Sequence, residues 1–154
     1  MKRDILVPFD GSPNALMALR FAIPLAKSLQ EKIVVLNVQP DLRTPNVKRF
    51  FSEQDVRDYQ QQMYREAIEP IEKELAEAEV DYELRLKIGD PKEIILKQAY
   101  PFDSEPQCST VGVRMIIMGS RGMHPILGGV LGSVSYGVVN AAPCPVTIVP
   151  YSCE

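Results

Sequence analysis

The chain has 154 residues, 45% of them hydrophobic, enough for one globular domain with a core of its own, and the sequence is read as a single domain over 1–154. Its formal net charge of −3 leaves no basic footprint for nucleic acid or for an anionic membrane surface, so small molecules and proteins are the partners the composition favours. The three cysteines, Cys108, Cys144 and Cys153, are odd in number and lack Cys-x-x-Cys spacing, which argues against a disulfide framework or a zinc site and for reduced thiols in a cytoplasm.

The first element is a short apolar strand, Asp4 to Phe9. It is too short, and too soon followed by Asp10, to act as a signal sequence, and no later segment approaches transmembrane length. Ser12-Pro13 then supplies a helix cap with proline at the first helical position. Ala15, Leu19, Ala22, Ala26 and Leu29 recur at helical spacing, and Pro24 within them removes one N–H and predicts a bend.

Ile33 to Val38 is, Asn37 apart, a run of β-branched and apolar residues, the pattern of a parallel strand buried on both faces. Pro40 to Pro45 reads as a loop. From Ser52 to Glu79 apolar residues return at helical spacing among charged ones, with a kink expected at Pro70. Val80 to Ile88 alternates as a strand with one wet face, and Gly89-Asp90-Pro91 turns into a short helix ending near Ala99. Pro101 to Gly112 is read as a variable surface loop.

Met115 to Met118 predicts a buried strand, Val134 to Ala142 a last helix, and Pro145 to Val149 a terminal strand. Strands alternating with helices imply a doubly wound α/β fold, a Rossmann-like five-stranded parallel sheet with helices on both faces. Ligands in such sheets bind outside the carboxyl ends of the strands where strand order reverses. One crevice should therefore gather Pro8 to Gly11, Asn37 to Gln39 and Met118 to Gly122.

Between the fourth strand and the last helix stand Gly119, Gly122 and Gly132, followed by Ser133. Residues without a Cβ let backbone approach a ligand closely, and the unpartnered N–H groups of a helix start suit a phosphate. Ser133 is placed to cap that helix or to meet a phosphate oxygen. The P-loop and the Gly-x-Gly-x-x-Gly fingerprint are both absent, so the glycines alone leave open a loop that needs them only for its turns. His124, the only histidine, has no companion ligands nearby in sequence and reads as a loop residue rather than a metal ligand.

The segments Ile5-Leu6-Val7-Pro8-Phe9-Asp10-Gly11-Ser12, Met118-Gly119-Ser120-Arg121-Gly122, Leu131-Gly132-Ser133-Val134 and Ala142-Pro143-Cys144-Pro145-Val146 together resemble the universal stress protein family. The spacing Gly119-x2-Gly122-x9-Gly132-Ser133 is similar to the signature of its ATP-binding branch, which shares the fold of the adenine nucleotide alpha hydrolase-like group. The resemblance implies that Asp10, beside Pro8, accepts from ribose hydroxyls and that the Val38 backbone contacts adenine. It implies too that Met118 and Gly119 line the nucleoside, and that Gly122, Gly132, Ser133, Val134 and Ser135 bind phosphates. Arg121 is a further candidate for a phosphate. A turn-stabilising role for Asp10 is the competing reading.

The family resemblance further implies a cytoplasmic regulator or sensor in stress response that binds ATP, with Mg²⁺ as an accompanying ion, and a homodimer formed through the terminal strand. Slow ATP hydrolysis and a nucleotide-independent dimeric interaction protein are the alternatives. Hydrolysis would draw on Arg121, Ser133 and a metal, but no general base is evident, so no residue is assigned a catalytic role. One departure from the family pattern is Arg114, placed just before the fourth strand where many members carry an acidic residue.

Overall fold

In a computed structural model, residues 3–100, 112–121 and 131–151 are described. The chain runs β1 (Asp4–Pro8), α1 (Pro13–Leu29), β2 (Lys32–Gln39), α2 (Pro45–Phe50), α3 (Glu53–Glu77), β3 (Tyr82–Ile88), α4 (Pro91–Ala99), β4 (Val113–Gly119), α5 (Ser133–Ala141) and β5 (Val146–Val149). The strands form one sheet in the order β3-β2-β1-β4-β5 with every pairing parallel. Strand order reverses between β1 and β4, so a crevice opens at the carboxyl ends of those two strands.

Alternation along the strands sorts side chains to two cores. Ile5, Val7, Ile33 and Val35 pack with Leu19, Ala22, Ala26, Ile71 and Leu75 of α1 and α3. Leu6, Val34, Leu36 and Ile116 pack on the opposite face with Ile95 and Ala99 of α4 and Val138 of α5. β1 and β2 are buried on both faces, as their apolar runs predict.

Local chemistry sets the helix starts. The Ser12 hydroxyl accepts from the Ala15 N–H at 3.1 Å, and Asp90 accepts from the Glu93 N–H at 3.1 Å. Ser52 and Asp55 form a reciprocal capping box at α3, each accepting from the other's N–H. Helices α1 and α3 run through Pro24 and Pro70 without ending there.

Four expectations are corrected. A helix, α2, occupies 45–50 immediately after the expected loop; Thr44 caps it and Pro45 starts it, but none of its residues is buried, so no periodic pattern marks it. The strand expected from Val80 begins at Tyr82, because Glu79 takes a left-handed φ of 55° and Val80 is buried before the strand starts. β3 is an edge strand, and its first five residues are half-buried rather than alternating wet and dry.

The last correction concerns Arg114, which lies inside β4 rather than before it. Its guanidinium meets the buried carboxylate of Glu31 through two bonds of 2.5 and 2.7 Å. That pair joins the α1–β2 turn to the start of β4. The loop expected at Pro101 to Gly112 lies outside the described residues except for Gly112, as do Cys108, His124 and Cys153.

Candidate functional site

A cavity of about 580 Å³ opens at the carboxyl ends of the central strands, within the range of small-molecule and cofactor sites. β1 and the turn after it contribute Pro8, Phe9 and Asp10, and β2 contributes Leu36 and Val38. From β4 and the residues following it come Met118, Gly119 and Arg121. The cavity also takes Gly132, Ser133, Val134 and Ser135 from the start of α5. Ten of the eleven sequence-derived candidates thus border one space, and the eleventh, Gly122, lies outside the described residues.

Each wall has a local cause. β1 gives its last ladder bond where the Phe9 N–H donates to the Leu36 carbonyl at 2.8 Å, after which the chain leaves the sheet. Asp10 then holds a turn: its Oδ1 accepts from the Ser12 N–H at 2.9 Å while the residue stays exposed at the cavity. The turn-stabilising role is therefore real, and it leaves the second carboxylate oxygen for other partners. Gly11, at φ 84°, supplies the left-handed step that a side chain would strain.

The opposite wall is a helix start. Gly132, not Ser133, is the N-cap of α5, at φ −63° and ψ 160°, and Ser133 is the first helical residue. This corrects the capping role expected of Ser133. Lacking a side chain, Gly132 offers no oxygen to the first-turn N–H groups, and the residues of that turn border the cavity at the positive end of the helix dipole. Its own N–H donates to the Ser120 carbonyl at 2.8 Å. A Cβ built on Gly132 would lie 3.4 Å from the Arg121 Cα, so Arg121 sits directly beside this helix start. Asp10 and Arg121 are the charged residues that border the cavity among those described.

Two residues do something the sequence did not announce. A Cβ on Gly119 would come within 2.9 Å of the Asn14 backbone, so Gly119 admits the first turn of α1 against the end of β4 in addition to lining the cavity. Ser135 donates its hydroxyl hydrogen to the Gly119 carbonyl at 2.9 Å and is buried, so that proton is already committed. Ala15, Leu36, Pro40, Pro91 and Ile95 also border the space and were missed. Pro91 had a usable signal, since Asp90-Pro91 starts a helix after β3 just as Ser12-Pro13 does after β1.

Among the described residues no group of three His, Cys, Asp or Glu side chains is arranged to hold a metal. Cys144 is half-buried against the α4–α5 core, and burial pushes its thiol pKa up, which disfavours the reactive thiolate. No described helix is long and apolar enough to cross a membrane.

Fold and cavity together define a doubly wound α/β protein with a cavity at its switch point, bordered by the start of α5. The universal stress protein family model matches residues 1–150, and the chain belongs to that family. A Staphylococcus haemolyticus protein bearing the universal stress protein name is 29% identical, covering 96% of this chain and 84% of that one. The universal stress protein UspA from Lactobacillus plantarum superposes with a TM-score of 0.77 at 25% identity, covering 96% of this chain and 97% of that one. An Arabidopsis thaliana family member solved with AMP bound shares the fold at TM-score 0.64 and 21% identity, over 98% of this chain and 93% of that one. A family member solved in complex with cAMP shares it at TM-score 0.59 and 20% identity, over 98% of each chain.

Proposed function

We propose that the chain binds ATP in the cavity at the β1–β4 switch point and acts through its bound state as a cytoplasmic regulator or sensor in stress response. Adenine rests against the Val38 backbone and the ribose lies by Asp10, with Met118 and Gly119 along the nucleoside. The triphosphate reaches the N–H groups of Ser133, Val134 and Ser135, with Gly132, Arg121 and Gly122 around it. The observation that carries this reading is that an acidic turn and a helix start with Arg121 beside it border one cavity of about 580 Å³. A nucleotide needs both: an acceptor for its sugar hydroxyls and donors for its phosphates.

The fit to Mg²⁺ is thinner, since Ser133 supplies one hydroxyl and the phosphates would supply the rest of the shell. Efficient hydrolysis is not part of the proposal. Among the described residues the carboxylate bordering the cavity is Asp10, placed by this reading at the sugar rather than at the terminal phosphate, where a water would have to be oriented. AMP-bound and cAMP-bound relatives support an adenine nucleotide as the ligand class. β5 lies at the sheet edge, and the proposal includes a homodimer formed by pairing two such edges.

Isothermal titration of the purified protein with ATP, joined to mass spectrometry of any nucleotide released on denaturation, tests the reading. Saturable binding that is lost in Gly132→Val and weakened in Asp10→Ala is the expected result. Absence of binding by the wild type would leave the nucleotide-independent interaction protein as the better reading.

A further inference from the structure

A buried polar chain lies just behind the cavity. Asn37 sits on β2, only 1% exposed, on the face where its neighbours Ile33 and Val35 are apolar core. A side-chain amide there carries a desolvation cost unless its groups are met, and in this chain they are. Its Nδ2 donates to the Phe9 carbonyl at 2.9 Å, and its Oδ1 accepts from the Gln39 Nε2 at 2.8 Å. Gln39 thereby fixes which way round the Asn37 amide sits.

The position of this contact gives it meaning. The Phe9 N–H makes β1's last ladder bond to β2, and β1 then departs from the sheet. Asn37 answers the Phe9 carbonyl with a side chain where the strand has ended. The Phe9 carbonyl, the Asp10 N–H and the Asp10 Cα belong to one rigid peptide plane, so holding that carbonyl fixes the place from which the Asp10 side chain departs. The Ser12 N–H bond to Asp10 Oδ1 fixes the carboxylate from the other side.

We infer that Asn37 is a positioning residue: through the Phe9 carbonyl it aims the Asp10 carboxylate at the sugar hydroxyls of a bound nucleotide, with Gln39 as its orienting partner. The inference rests on the proposed nucleotide site. It assigns selectivity for a hydroxylated sugar to two residues that do not border the cavity.

Titration of the full-length chain with ATP and with 2′,3′-dideoxy-ATP tests it in the wild type, Asp10→Ala, Asn37→Leu and Gln39→Ala. The wild type should prefer ATP by about tenfold, the size expected for a hydrogen bond to a charged acceptor, and Asp10→Ala should abolish the preference. In Asn37→Leu the preference should fall to about twofold while affinity for dideoxy-ATP stays within about threefold of wild type, as expected when only the sugar contact is lost. Gln39→Ala should reduce the preference less. A merely structural role would weaken both nucleotides alike, and that result, or an Asn37→Leu ratio equal to wild type, overturns the inference. Should Asn37→Leu fail to fold by circular dichroism, Gln39→Ala decides: a reduced ratio supports the inference and an unchanged one overturns it. Failure of the wild type to bind either nucleotide removes the proposed site itself, and the inference falls with it.

Discussion

Ser135 and Gly119 are joined by a buried hydrogen bond of 2.9 Å that ties the first turn of α5 to the last residue of β4. Strand end and helix start are thereby held as one rigid corner of the cavity. Ser135→Ala removes the donor and leaves the Gly119 carbonyl short of a partner, at a cost of about 1–3 kcal/mol in stability. Urea unfolding monitored by circular dichroism should show a lower midpoint with an unchanged slope. ATP affinity should fall along with it, since the corner loosens.

Gly119→Ala should be worse for the fold than its one added methyl suggests. The new Cβ would meet Asn14 backbone atoms at 2.9 Å, where no flexible side-chain end can give way. Overpacking of this kind costs about 1–3 kcal/mol, and the same urea measurement checks it.

Gly132 behaves differently, because its φ of −63° suits any residue and a Cβ there makes ordinary contact with Arg121 at 3.4 Å. Gly132→Ala should therefore fold with near wild-type stability. Gly132→Val places branched bulk beside Arg121 at the helix start and should weaken ATP binding by at least about tenfold, well beyond Ser133→Ala, which removes one side-chain group and no backbone donor. Titration calorimetry on the three variants gives the comparison.

The Glu31–Arg114 pair predicts a pH effect. The guanidinium of Arg114, followed in smaller part by the Arg3 N–H, holds the Glu31 carboxyl below its ordinary value of 4.5 despite burial. The unfolded state then binds the proton more readily than the folded one. The pair's stabilisation is present above pH 4.5 and is lost as pH falls through the lowered folded value. Arg114→Ala strands a buried carboxylate, so at pH 7 it should be less stable than wild type. The gap between the two proteins should shrink on acidification below pH 4.5, followed by thermal melts across the pH range.

At the β5 edge, edge-to-edge pairing predicts a dimer at micromolar concentration in sedimentation equilibrium. Thr147→Lys, which places a charge on that edge strand, should shift the protein to monomer without unfolding it.

The strands β1, β2 and β4 were legible because each is dominated by apolar residues, and Ser12-Pro13 announces α1 in chemistry that needs no partner. The cavity lining was legible where a residue's place is local, as with Asp10 at the end of β1 and Gly132 at a helix start. What escaped is what depends on neighbours distant in sequence. α2 buries nothing, so it has no periodicity to read. Arg114 looks like an exposed charge until Glu31, 83 positions away, is brought beside it. Asn37 looks like a weak spot in an apolar strand until the Phe9 carbonyl is found facing it.

The decisive measurement is a crystal of the protein soaked in ATP. Adenine density against Val38, with the phosphates at the N–H groups of 133–135, is the result expected. Nucleotide density at any other place on the surface, with this cavity bare, would contradict it.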